Sequence, residues 1–184
     1  MTEKELIYRT MELLGAESGD NPWLAREGAV KLAVSYALGE LAMDVARDPH
    51  RRHLLQNSYE VTVASGNADL SDAADVPDFS TYGAPLSSAL CYSTLLDADN
   101  NRYTYLSQYR DLLAEQPTVF GYYCLNGQQM KVRELSSGDL AANGTFTLIA
   151  SFVPTVAQLR AEIEDDAVMV LAKVLTRPAP EENA

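Results

Sequence analysis

Val119-Phe120-Gly121-Tyr122-Tyr123-Cys124-Leu125-Asn126-Gly127-Gln128-Gln129-Met130-Lys131-Val132-Arg133-Glu134-Leu135 carries the strongest local fold signal in the chain. Asn126-Gly127 divides two β-rich runs, a combination that favours a two-residue type I′ hairpin because both turn positions need positive φ. Pairing outward from that turn sets Tyr123 opposite Met130 and Gly121 opposite Val132 on one face. On the other face Tyr122 meets Lys131 and Phe120 meets Arg133, a row of aromatic and cationic neighbours that is either solvated or an interface.

The sequence on either side of this hairpin also reads as strand and turn. Upstream, Tyr59, Val61 and Val63 alternate with Glu60 and Thr62, the period of a half-buried strand starting at Ser58. Ser65 to Pro85 is rich in Gly, Asn, Asp, Ser and Pro and reads as a long surface loop. Leu90 to Leu96 returns as Arg102 to Leu106 around Asp97-Ala98-Asp99-Asn100-Asn101, a second hairpin. Ser107 is placed to cap a short helix, Gln108 to Glu115, that stops before Pro117. After a turn-rich stretch, Ser136 to Gly144, Phe146, Leu148, Ala150 and Phe152 share one face of a strand that Pro154 ends.

Helical periodicity flanks this region. Thr2-Glu3-Lys4-Glu5 has capping-box spacing, so a helix over about 3–14 follows on Leu6, Leu13 and Leu14, with Gly15 ending it. Asn21 and Pro22 suit the cap and first position of a longer helix over about 22–48. That helix is apolar almost all round and rich in Gly and Ala, so it must be covered on several sides, by the chain itself or by a neighbouring subunit. Thr155 to Gln158 repeats the capping-box spacing ahead of a third helix over about 155–175, striped by Ile163, Ala167, Val170, Leu171 and Val174. Its acids come early and its bases late, as the helix dipole favours. The expected fold class is therefore α+β: an N-terminal helical pair and a C-terminal helix form a helical core, with an antiparallel β region of hairpins inserted over about 58–153. One domain spans 1–177, and 178–184 is a tail too polar and Pro-rich to fold alone.

With 184 residues, 47% of them hydrophobic and 22% charged, the chain has the composition of an ordinary globular domain. A net charge of -12 disfavours partners gripped through their phosphates, while suiting a surface past which nucleic acid slides. Cys91 and Cys124 lie in apolar surroundings and read as reduced and buried. Charges through the first 14 residues leave no room for a signal peptide. Two charge-free runs, 79–96 and 140–159, are interrupted by Ser, Thr, Gly and Pro, so no membrane is expected and the chain is cytosolic where it is made.

Catalytic signatures are missing. Asp97-x-Asp99-x-Asn101 starts like a calcium loop, but Arg102 replaces the required Gly and Gln108 the bidentate Glu, so a solvated turn is expected. His50 and His53 could share a metal with Asp48, yet Arg47, Arg51 and Arg52 in the same segment oppose a cation. The segment reads better as a basic cap on a helix C-terminus, or as a contact for an acidic partner surface. No nucleophile elbow and no phosphate-binding Gly loop occurs. The expectation is a non-enzyme with no cofactor and no metal.

In the order of its elements, a helical pair over Thr2 to Asp48, hairpins over Ser58 to Val153, a helix from Pro154 to Leu175 and a loose tail, the chain resembles the head-to-tail adaptor (connector or head completion) proteins of tailed bacteriophages. The resemblance implies a structural virion protein: a homo-oligomeric ring, commonly a dodecamer, beneath the portal protein, extending the DNA channel toward tail or neck proteins. DNA would pass without specific binding. It further implies assembly in the host cytoplasm, a final place in the virion neck, and portal docking through the C-terminal part, which makes Arg177, Pro178 and Pro180 candidate interface residues. The residues themselves add the basic segment Arg47, His50, Arg51, Arg52 and His53, and the hairpin face Phe120, Tyr122, Lys131 and Arg133. The β region is longer than in compact helical adaptors, leaving another neck or tail-completion subunit as an alternative. The other alternative is a monomeric α+β binding module using the Ser65 to Pro85 loop and the aromatic hairpin face.

Overall fold

A computed structural model of the chain describes residues 1–15, 27–72, 85–107, 120–126, 128–134 and 141–178. Among them are three α-helices, α1 (Glu3–Leu14), α2 (Glu27–Arg47) and α3 (Ala161–Leu175). The strands are β1 (Gln56–Val63), β2 (Asn67–Asp69), β3 (Thr94–Leu96), β4 (Arg102–Tyr105), β5 (Gly121–Asn126), β6 (Gln129–Glu134) and β7 (Gly144–Ser151). The chain divides into two compact units, Met1–Val45 with Pro154–Ala184, and Ala46–Val153.

The described strands of the second unit join one seven-stranded mixed sheet in the order β1-β7-β3-β4-β5-β6-β2, with β4 and β5 parallel. The two end strands of that order, β1 and β2, are consecutive in the chain and meet at the Ala64–Asn67 bridge. The sheet therefore bends round until it is nearly closed and barrel-like. This corrects the expected fold class: the β region is not a set of hairpins inserted into a helical core but a sheet with a core of its own.

Closure depends on a turn that the sequence reading took for loop. Ser65 (φ 51°) and Gly66 (φ 74°) both lie in the left-handed region, making a two-residue hairpin of the type I′ pattern. Its hydrogen bonds run from Ala64 N to Asn67 O (2.9 Å) and from Asn67 N to Ala64 O (3.0 Å). Gly66 then reaches sideways, donating to Ala142 O (2.7 Å) and accepting from Val132 N (2.9 Å), so one turn bonds β6 and the segment just ahead of β7.

The inner face follows the period of two that the strands carry. Tyr59 and Val61 of β1 pair with Leu148 and Phe146 of β7, Leu95 of β3 pairs with Leu148 and Tyr103, and Tyr123 of β5 pairs with Val132, all of them buried. Aromatic rings fill the middle: Tyr103 meets Phe146 edge-on and Tyr105 meets Tyr123, both at 5.4 Å between centroids.

The β5–β6 hairpin forms with a different register. Asn126 pairs with Gln129, Leu125 with Met130 and Tyr122 with Arg133, so Asn126 belongs to the ladder rather than to the turn. Each side chain keeps its expected face, but Tyr122 faces Arg133 instead of Lys131, Lys131 faces Cys124, and Phe120 lies beyond the ladder with no partner in it. The cause is tertiary. On its other edge β6 pairs with β2, where Gln129 donates to Asp69 (2.7 Å) and Lys131 bonds Asn67. Those bonds outweigh the local turn preference.

Other boundaries also shift. Leu90 lies in a short 3-10 turn, Ser87–Tyr92, and only Thr94–Leu96 forms the strand that pairs with Arg102–Tyr105. Cys124 is buried as expected, whereas Cys91 is exposed and both are free thiols. The expected starts and spans at Asn21-Pro22, Gln108 to Glu115, Gly127 and the tail from 179 onward lie outside the described residues.

In the first unit α1 forms as its capping box dictates: Glu5 N donates to Thr2 Oγ1 (3.2 Å), Thr2 N donates to the Glu5 carboxylate (2.6 Å), and Gly15 closes the helix at φ 61°. Its buried stripe is Leu6, Thr10 and Met11, not the Leu13 and Leu14 of the sequence reading. The box at Thr155 and Gln158 also forms, but it caps a 3-10 turn; Leu159 is extended and α3 begins at Ala161. Within α3, Ile163, Ala167, Leu171 and Val174 are buried as expected, joined by Val168 in place of half-buried Val170. α2 buries Ala33, Val34, Ala37, Leu38, Leu41, Ala42 and Val45 along one side.

Candidate functional site

Ionisable and aromatic side chains on the surface, rather than a pocket of reacting groups, make the candidate site. The basic segment is a compact turn directly after α2. The carbonyl of Asp48 accepts from Arg51 N (3.1 Å) and Arg52 N (2.9 Å), and its carboxylate Oδ1 accepts from His50 N (2.9 Å). A 3-10 turn, Arg52–Leu54, follows, and buried Leu54 and Leu55 anchor it. Arg47, His50 and His53 are exposed, while Arg51 and Arg52 are half-buried. The Arg52 guanidinium lies over the Tyr92 ring at 5.5 Å, a contact that fixes the cation without an acid. Tyr92 was not a sequence candidate, because nothing local links it to a residue so distant in the chain.

On the sheet's outer face the structure brings Tyr122 beside Arg133, as cross-strand neighbours. Phe120 is 53% exposed just outside that pair. Lys131 is turned to Asn67, so it serves the β2–β6 seam. Arg177, a candidate interface residue of the C-terminal part, bonds Glu40 of α2 through both terminal nitrogens, one at 3.0 Å. That contact holds the Glu40 carboxyl below the usual carboxylate range and pushes the Arg177 guanidinium up. Pro178 is the last described residue and is exposed, and Pro180 lies outside the described residues.

Buried polar side chains among the described residues are Thr10, Ser93 and Ser151. Thr10 Oγ1 donates to Leu6 O (2.7 Å), and Ser93 Oγ donates to Leu90 O (2.6 Å) while sharing a 2.8 Å bond with the Tyr123 hydroxyl. Burial pushes the Tyr123 phenol up to about 12 against the opposing pull of the Ser93 bond. Burial also raises the Cys124 thiol, which makes it a poor nucleophile. At the Asp97 turn both carboxylate oxygens are taken by the loop itself, Oδ1 by the amides of Asp99 (2.9 Å) and Asn101 (2.8 Å), Oδ2 by the Asn101 side chain (2.9 Å). Among the described residues no three His, Cys, Asp or Glu side chains are placed to hold a metal ion, and no helix is long and apolar enough to cross a membrane.

Sequence reasoning marked the apolar excess of α2 but not the apolar side chains left in water on α1 and α3. Tyr8 and Leu13 on α1, Leu32 and Tyr36 on α2, and Met169 on α3 are all exposed. A signal for Met169 existed, since it stands off the apolar stripe of α3 and one turn after Asp165 and Asp166. Neither a protein-family model nor a curated protein matches the chain.

Proposed function

We propose that this chain is a structural subunit that works by assembling into a ring, in the manner of the head-to-tail adaptors of tailed bacteriophages, beneath a portal and around the path of the DNA. One observation carries the reading. Each described α-helix of the first unit presents large apolar side chains to solvent, Tyr8 at 69%, Leu13 at 52%, Leu32 at 37%, Tyr36 at 50% and Met169 at 60%. Single exposed apolar residues are ordinary on a monomer, but five in one small helical unit favour a surface that a neighbour covers. The net charge of -12 fits a conduit that lets DNA slide without gripping it. Internal bonds of Thr10, Ser93 and Asp97 support a non-catalytic role, since those groups are engaged in holding the fold.

Light-scattering mass on the purified protein, alone and with a portal ring, tests the reading. A multiple of the monomer mass, or incorporation into the portal particle, is expected. A strict monomer under both conditions would overturn it. That result would favour a second reading, a monomeric binding module, for which the exposed Phe120, just ahead of the strand that pairs Tyr122 with Arg133, is the supporting observation.

A further inference from the structure

We infer that the basic turn from Arg47 to His53 is the contact through which one copy of this chain grips the next, on the outward face of α3 where Met169 shares a face with Glu162 and Asp165. The inference rests on the ring reading and deepens it by naming the interface. Three of the chain's 14 Lys and Arg residues and both of its histidines fall in this short segment, while the chain as a whole carries -12. Copies so charged repel one another, so a stable contact between them must set the positive segment against a negative face. Pairing one patch with a different patch on the next copy permits a head-to-tail contact, the kind that generates rings when the rotation closes.

Both sides have the anatomy of an interface. On α3, residues 162, 165 and 169 follow the helical repeat and all are exposed. Met169 supplies an apolar centre at 60% exposure, and Glu162 and Asp165 supply an acidic rim, Asp165 also meeting Arg9 of α1. On the turn, the Tyr92 ring already holds the Arg52 guanidinium, and the Asp48 bonds hold the backbone, so less conformational freedom is lost on docking. Arg47 and Arg51 also interact within the chain. Duplex DNA is the less suitable occupant, because a few cations on an acidic chain neutralise too few phosphates.

Charge reversal tests the inference. Arg47→Glu with Arg51→Glu in one variant, and Glu162→Lys with Asp165→Lys in another, should each raise the concentration for half-assembly at least about tenfold while leaving the circular-dichroism melt cooperative. An equimolar mixture of the two variants should regain wild-type assembly, since each then offers the charge the other needs. Single variants that assemble like wild type, or a mixture that stays dissociated, would overturn this interface while leaving the ring reading intact. Loss of duplex-DNA retention with unchanged assembly would assign the turn to nucleic acid and overturn it as well. A wild-type protein that is monomeric at every concentration and with a portal ring would remove the ring reading, and this inference with it.

Discussion

Backbone at Gly121 runs so close under the Tyr103 ring that a Cβ there would stand 2.4 Å from the ring's Cε1 and 2.2 Å from the Arg133 carbonyl oxygen. Neither neighbour can yield, because the ring is wedged edge-on against Phe146 and the carbonyl belongs to β6. Gly121→Ala is expected to cost about 2–4 kcal/mol, read from urea unfolding. Tyr123 behaves differently, since its ring packs the core while its hydroxyl bonds Ser93. Tyr123→Phe keeps the ring and leaves Ser93 bonded to Leu90 O, so a loss of about 1 kcal/mol is expected. The same phenol sets a pH dependence. With a folded pKa pushed up to about 12, it stays protonated in the native state where an unfolded tyrosine, near 10, has begun to ionise. Its contribution is fully present below about pH 10 and is lost as pH rises toward about 12. Denaturant melts between about pH 8 and pH 11 should show stability falling, and Tyr123→Phe should flatten that fall. An equal decline in both proteins would place the effect elsewhere.

Among the elements, the Ser65-Gly66 hairpin decides whether the sheet closes, because it bonds β6 through Val132 and residue 142 as well as joining β1 to β2. A Cβ at Gly66 would lie 2.9 Å from the Val132 carbonyl oxygen, at a positive φ that L side chains resist. Gly66→Ala should therefore cost about 1–3 kcal/mol and speed hydrogen exchange along β2 and β6; unchanged protection there would separate this turn from closure. The contrast with the helix caps shows what sequence made legible. Thr2 and Glu5 were readable because a capping box is decided within four residues, and its bonds form as expected. The faces of β1, β5, β6 and β7 were readable for the same reason, since alternation is local. Strand order was not. The parallel β4–β5 pair and the β3–β7 pair join segments whose sequences carry no mark of one another. Ser65-Gly66 was hidden by its neighbours, because turn residues within a Gly-, Asn- and Asp-rich run look the same whether they make a tight hairpin or an irregular loop.

At the scale of the whole molecule, charge was the most legible property and exposure the least. Arg47, His50, Arg51, Arg52 and His53 could be picked out as a basic cluster from composition, whereas the Tyr92 ring beneath Arg52 and the uncovered Tyr8 and Met169 depend on packing between elements distant in the chain. That charge leads to a definite expectation about nucleic acid. Affinity for duplex DNA comes mainly from Lys and Arg neutralising phosphates and releasing counterions, and it falls steeply with salt. Here the cluster supplies three arginines, of which Arg52 is held over Tyr92, and the remaining surface carries the excess acid that makes the net charge -12. A patch of that size contributes only a shallow salt slope, and the surrounding field repels a phosphate backbone before it arrives. The protein should leave duplex DNA unshifted in a native gel at physiological salt up to about tens of micromolar, as the proposed conduit role requires. A shift in the low micromolar range that weakens on Arg51→Glu would show instead that the turn grips phosphate, and the sliding-surface role would have to be abandoned.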